Sequence, residues 1–289
     1  MLREDPTKKV LLALVLLIIV GAIGYLDSLR ADRVPASDAA PGEAIAREDA
    51  ARKALRYTPA QEFRAPGRFL NSQPFTLQSF IGKKVILLDF WTYSCINCQR
   101  TTPYLNAWWQ KYKDSGLVII GMHTPEFAFE REYENVLAAV RKFRIQYPVV
   151  QDNDFGTWNA YQNRYWPRKY LIDIDGFVVY DHIGEGGYEE TEQKIQELLV
   201  ERADALKENL DVPTGAVSPG DMVTMEGSKI GSPETYFGAD RNTFLANGEQ
   251  QQVGVQPLTL PERIEPNTLD LEGNWGFREE VAHVTKAPA

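Results

Sequence analysis

The sequence predicts an α/β fold, a mixed β-sheet sandwiched between helices, and three observations carry that expectation. Short apolar runs of buried-strand type alternate with helical stretches between about residues 63 and 202. Asp175-Gly176, set between two further apolar runs, is a two-residue hairpin signal. The texture changes on both sides, with a long apolar segment near the N-terminus and a Gly-, Pro-, Thr- and Asn-rich stretch after about Val212. The expected organisation is an anchor over 1–30, a linker over 31–62, the α/β domain over 63–210 and a β-rich C-terminal extension over 211–289.

The N-terminal run, Val10 to Leu26, contains no charge and follows Arg3, Lys8 and Lys9. Its 17 residues span about 25 Å as a helix, slightly under a hydrocarbon core of ~30 Å. No Ala-x-Ala pattern follows closely, and Val34-Pro35-Ala36 lies beyond Asp27, Arg30 and Arg33. The run is therefore expected to stay as one transmembrane helix, with everything after Leu26 on one side of the bilayer. Residues 31 to 60 are rich in Ala, Asp, Glu and Arg and read as a spacer with a short polar helix around Glu43 to Leu55.

Within the domain, Lys84 to Phe90 reads as a buried strand. A helix is expected from about Cys95 to Ser115, stopped by Gly116. Leu117 to His123 is a second buried strand, and Glu132 to Arg144 a helix with Val136, Leu137, Val140 and Phe143 on one stripe. Tyr147 to Val150 begins a third strand. Tyr170 to Ile174 and Phe177 to Tyr180 form the hairpin, and Glu189 to Arg202 closes the domain as a helix. Parallel βαβ units followed by a hairpin and a terminal helix imply a mixed sheet. In the extension, Met222 to Met225 and Thr268 to Leu271 read as short extended stretches.

Composition narrows the function. Of 289 residues, 44% are hydrophobic and 25% charged, and the formal net charge of −9 argues against nucleic acid as a partner. The chain has two cysteines, Cys95 and Cys98. A disulfide-stapled domain carries more, spread over its loops. A structural zinc site needs four ligands, and His123, His182 and His283 do not stand in ligand-like spacing. No metal and no cofactor is expected beyond a redox-active disulfide between the two cysteines.

Cys95-Ile-Asn-Cys98 falls where a buried strand passes into a helix. A thiol at a helix N-terminus faces unpaired N–H groups and the positive end of the dipole, which favour thiolate. Cys95 is the expected nucleophile, and Cys98, one turn further in, the resolving thiol. Asp89, on the preceding strand, is a candidate to accept the proton that Cys98 must lose. Glu126 follows the second strand at the same sheet edge and is a candidate to tune the dithiol. Trp91, Tyr93 and Trp166 are candidates to line a groove around the sulfurs.

This stretch resembles the thioredoxin superfamily, and within it the anchored, exported branch of TlpA, ResA and the redoxin domain of DipZ-type proteins. The resemblance rests on Asp89 six residues before Cys95, on Phe90-Trp91, on Pro103 eight residues after Cys95, and on Trp166-Pro167 before a strand. It covers roughly residues 63 to 202. It implies a thioredoxin-like sheet and a cis-Pro167 facing the cysteines, whose preceding backbone can pair with an extended substrate. It also implies disulfide exchange with exported proteins, more in the reductive sense, as in cytochrome c maturation or envelope thiol maintenance. The implied place is the bacterial inner membrane, single-pass, with the redox domain in the periplasm. The implied electron donor is a membrane thiol transporter of the CcdA/DsbD kind, since the chain holds no third cysteine.

Ser94 and Ile96-Asn97 stand where most of the family has Trp before the pair and a Pro within it; DipZ-type redoxins share the Ser form more closely. Gly231 to Gly238 and Leu271 to Trp275 resemble the start of the carbohydrate-binding-like β module of DipZ-type proteins, which the remaining residues are too few to complete; no sugar binding is assigned. Two rivals remain. Thr92-x-x-Cys95 fits part of a peroxiredoxin signature, although Leu88 stands where that signature has Pro. A non-enzymatic anchored adaptor would not need Cys95 at all.

Overall fold

The apolar runs become the centre of a seven-stranded sheet. The computed structural model describes residues 51–220 and 231–286. Its first seven strands are β1 (Thr58–Pro59), β2 (Phe69–Leu70), β3 (Val85–Trp91), β4 (Leu117–His123), β5 (Val149–Gln151), β6 (Arg168–Ile172) and β7 (Phe177–Ile183). They lie side by side in the order β1-β7-β6-β3-β4-β5-β2. β3 pairs in parallel with β4, and β4 with β5. β6 runs antiparallel to both β3 and β7. The mixed sheet predicted from the βαβ units and the hairpin is thus present, in a thioredoxin-like arrangement.

The two short edge strands were not legible. β1 precedes residue 63, where the sequence places the domain's start, and β2 covers only two residues. Strands that short carry no period of their own, and their pairing with β7 and β5 is decided by the sheet.

The helices are α1 (Ile96–Tyr112), α2 (Tyr133–Lys142), α3 (Gly156–Ala160) and α4 (Tyr188–Leu206). Side chains alternate along β3 because a strand has period two. Val85, Leu87 and Trp91 pack with Leu105 and Trp108 of α1, Val136 and Val140 of α2, and Ile195 and Leu199 of α4. Ile86, Leu88 and Phe90 pack on the other face with Phe63, Leu77 and Trp158. Burial on both faces is why β3 and β4 are continuous apolar runs. At the middle of β4, Gly121 is required by close approach: a Cβ there would lie 2.9 Å from Trp91 Nε1 and 3.2 Å from the Tyr147 ring.

The extension forms a separate three-stranded antiparallel sheet of β8 (Gly254–Leu258), β9 (Gly273–Phe277) and β10 (Ala282–Lys286), in the order β10-β9-β8. Its small core holds Ala239, Leu245, Leu258, Leu271 and Phe277. Thr268 to Leu271 is not a strand; Leu269 makes only a bridge to Leu245. The predicted stretch Met222 to Met225 and the N-terminal apolar run lie outside the described residues. So does most of the polar helix, of which residues 51–54 are helical. Among the described residues, no helix is long and apolar enough to cross a membrane.

Candidate active site

Three chain segments meet at the C-terminal end of the central strands. The first is the β3-to-α1 turn. Cys95 is the N-cap of α1, with extended backbone, and the Cys98 N–H donates to its Sγ at 3.4 Å. The sulfur therefore collects the orphan N–H groups of the first helical turn. Cys95 is partly exposed, whereas Cys98 is buried. The expected helix start at Cys95 is shifted by one residue, because the cysteine caps the helix rather than entering it.

The sulfurs differ as their positions require. A hydrogen bond from the Cys98 side chain, helped by the backbone N–H groups of Cys98 and Asn97, lowers the Cys95 pKa; partial burial and the charge of Glu126 oppose it. Burial, above all, raises the Cys98 pKa well above the usual thiol range, and the neighbouring Cys95 and the Asp89 charge add to the rise. One thiol is thus prepared to attack and the other to wait for a base.

The second segment is the strand pair beneath. Asp89 faces the same side of β3 as Leu87 and Trp91, is 2% exposed, and has an Oδ1 without a hydrogen-bond partner. Burial raises its pKa from 3.8 to about 7, with Lys169 pulling the other way. Lys169 lies directly across the β3–β6 ladder from Asp89 and is fully buried, its Nζ donating to the Gly184 carbonyl at 3.0 Å. Burial lowers its pKa from 10.5 to about 8, against the pull of Asp89 and Cys98. The sequence reading missed Lys169. Its signal was a lysine at an inward position of a strand that otherwise reads Tyr170 to Ile172.

The third segment is the turn before β6. The Trp166–Pro167 peptide is cis, and the Cys95 thiol faces the Trp166 carbonyl at 3.9 Å. The Trp166 indole donates to the Thr124 carbonyl at 3.0 Å and packs on Trp158, with ring centroids 4.3 Å apart. Of the other aromatics, Tyr93 is half-buried, stacked on His123 at 5.7 Å. Trp91 does not line a groove. At 2% exposure it points into the core beneath α1, edge-on to His123 at 5.1 Å. The alternation of β3 that directs Asp89 inward directs Trp91 inward too. His123 is itself buried, and burial lowers its pKa to about 4, so the ring is neutral near pH 7.

Glu126 lies in the loop after β4, where Arg241 of the extension binds its carboxylate at 2.8 Å. A second acid in that loop, Glu130, was not singled out from the sequence and is fully buried. Its Oε1 accepts from the Ser94 hydroxyl at 2.5 Å and the Ser94 N–H at 3.4 Å. Its Oε2 accepts from the N–H groups of Glu126 at 2.5 Å and Phe127 at 2.9 Å. One carboxylate thus ties the cysteine turn to the loop that borders it. Glu130→Ala leaves these donors unsatisfied and is expected to destabilise the fold by about 3 kcal/mol. Urea denaturation of both proteins at neutral pH checks this, and an unchanged midpoint refutes it.

A partly exposed capping thiol, a buried partner one turn on, a buried acid and a proline turn across from the sulfur together define a dithiol redox centre of thioredoxin type. Residues 58–181 match the AhpC/TSA family. The chain is 41% identical over 206 residues to the protein DipZ of Mycobacterium bovis, a match covering 71% of this chain and 29% of DipZ. It therefore spans about three-tenths of the length of that relative. It is 31% identical over 129 residues to the thiol-disulfide oxidoreductase ResA of Bacillus cereus, covering 45% of this chain and 71% of ResA. A thioredoxin-like protein solved in its oxidised form aligns at a TM-score of 0.47 and 26% identity, over 50% of this chain and 97% of that one. The chain belongs to the thioredoxin-like thiol–disulfide oxidoreductases, the family of ResA and of the redoxin domain of DipZ.

Proposed function

We propose that the chain reduces disulfides in exported proteins through Cys95 and Cys98. The observation that supports this best is the unequal setting of the two thiols, one partly exposed and capped by backbone N–H groups, the other buried beside Asp89. In the reductive sense, the Cys95 thiolate attacks one sulfur of a client disulfide. The client S–S bond breaks, a Cys95–client disulfide forms, and one client thiolate leaves and takes up a proton. Cys98 then loses its proton to Asp89 and attacks the Cys95 sulfur. The mixed disulfide breaks, the second client thiolate leaves and is protonated, and the pair ends as a Cys95–Cys98 disulfide. Two electrons have passed to the client. These 289 residues hold no cysteine besides this pair, so the electrons return from a dithiol outside them, and a membrane thiol transporter of the CcdA/DsbD kind has the chemistry to supply them. Trp166 and the buried Pro167 present the backbone edge along which an extended client segment can lie. The uncharged run Val10 to Leu26 supports a membrane anchor, and the resemblance to the anchored, exported redoxins supports an inner-membrane location with the domain in the periplasm.

The test is equilibration with glutathione alongside insulin-reduction and peroxide-consumption assays. A potential below about −250 mV with insulin reduction supports the reading, and a value near about −120 mV reverses the direction of electron flow. Rapid peroxide consumption without insulin reduction would assign the site instead to a thiol peroxidase, and neither activity would leave the adaptor.

A further inference from the structure

The C-terminal extension reaches the border of the redox centre. Arg241 Nη1 lies 2.8 Å from Glu126 Oε1, and the Tyr236 hydroxyl approaches the same oxygen at 3.4 Å. The guanidinium packs against two neighbouring rings, 3.9 Å from the Tyr236 centroid and 4.6 Å from the Phe127 centroid. A second link lies beside it, where Glu280 Oε2 accepts the Ala128 N–H at 2.6 Å. The segment carrying Arg241 is fastened to the extension's own sheet, with Ala239 and Asp240 donating to the carbonyls of Arg278 and Glu279. Gly238 is buried there, and any side chain at it would collide with the backbone of Glu279 and Glu280.

The contact falls on the loop that Glu130 ties to Ser94, next to the nucleophile. An exposed ion pair alone contributes little, and here the ring contacts add cation–π attraction to it. The side chains of Glu126 and Arg241 are 19% and 40% exposed, so the pair still senses ionic strength.

We propose that Arg241 is a positioning residue for the cysteine pair: from the C-terminal extension it holds and neutralises the Glu126 carboxylate on the loop that Glu130 ties to the cysteine turn, so that docking of the extension sets how readily Cys95 reacts. This rests on the redox reading of Cys95 and adds to it a role for the extension that needs no ligand. The ionisable groups whose hydrogen bond or charge acts on the Cys95 thiol include Cys98 on α1 and Glu126 on the loop after β4. With Arg241 bound, the carboxylate opposes thiolate formation less. Without it, the full negative charge acts on the sulfur.

The experiment is a double-mutant cycle in the full chain, read by iodoacetamide alkylation of Cys95 as a function of pH. Arg241→Met should slow alkylation near pH 7 about threefold and move the profile to higher pH, and the slowing should shrink in high salt. Arg241→Lys should restore most of the rate. In a Glu126→Gln background, Arg241→Met should change the rate by less than about 1.5-fold. An unchanged rate in Arg241→Met overturns the proposal. The same slowing in the Glu126→Gln background also overturns it, because the effect would then come from a loosened fold. Failure of the parent chain to form a Cys95–Cys98 disulfide with oxidised glutathione is a different result, which sinks the redox reading while the alkylation cycle still reports on Arg241.

Discussion

Replacing Cys95 with serine should abolish disulfide exchange, on the order of 10³-fold or more, while Cys98→Ser should stop the reaction halfway as a stable mixed disulfide. The asymmetry follows from where the sulfurs lie. Cys95 caps α1 and is reached from solvent, and its thiolate is favoured by hydrogen bonds from Cys98 and the first-turn amides. Cys98 cannot take over the attack. It is 2% exposed, and burial holds its proton to far higher pH. A serine at position 95 therefore leaves no accessible thiol, and an alcohol cannot form the mixed disulfide on which exchange depends. With serine at 98 the first attack proceeds, but nothing is left to displace the client. The adduct should survive on a non-reducing gel, disappear with dithiothreitol, and show the mass of chain plus client. Full exchange by Cys95→Ser would refute the assignment, and so would the absence of any adduct in Cys98→Ser.

The second large effect concerns Asp89 and has two parts of opposite sign. Asp89→Asn should slow resolution of the mixed disulfide by about 10²-fold, because the base that receives the Cys98 proton is gone. It should also stabilise the fold at pH 8 by about 2–4 kcal/mol. The folded carboxyl titrates at about 7, against 3.8 for an ordinary aspartate. Below pH 4 it is protonated in both states and costs nothing. As pH rises from 4 towards 7, the unfolded chain releases a proton that the folded chain retains, and stability falls. Above 7 the penalty is complete. Lys169, whose ammonium loses its nearest carboxylate in the variant, offsets part of the gain, which places the expectation towards the lower figure. Urea titrations of parent and variant at pH 4 and pH 8, with mixed-disulfide decay followed at both, separate the two parts. A variant less stable than its parent at pH 8, or one that resolves at the parental rate, contradicts the role given to Asp89.

A stability gain paired with a catalytic loss marks a group kept for chemistry rather than folding. Asp89 has an unpartnered oxygen in the core, and its ladder neighbour is a buried lysine. Neither arrangement is a way to strengthen a sheet. Both make sense under a thiol that must give up its proton while buried from solvent. Glu130 is the contrasting case, a buried acid whose oxygens accept four hydrogen bonds.

Much of this was legible in the chain because it rests on short-range patterns. β3 and β4 could be read directly, since strands buried on both faces must be apolar throughout. The hairpin was announced by Asp175-Gly176, where Gly176 takes a φ of 88°. The cysteine pair was legible from its place at the strand-to-helix junction, whereas Asp89 and Trp166-Pro167 were picked out by the resemblance to the thioredoxin superfamily. What could not be read were partners distant in sequence. Lys169 is 80 residues from Asp89 and meets it only because β6 runs antiparallel to β3. Glu130 looks like a solvent-facing acid until the β4 loop folds back on Ser94. Trp91 resembles a groove residue beside the motif until strand parity turns it inward.

The linear order of residues by itself determined the central strands β3 and β4, the active-site helix and the chemistry of the two thiols, because hydrophobic period and helix-terminus electrostatics act over a few residues. Only the tertiary structure decided which charges surround those thiols, since an electrostatic field depends on distance in space. It set Lys169 against Asp89, and it brought Arg241 of the extension to Glu126 across 115 residues of chain.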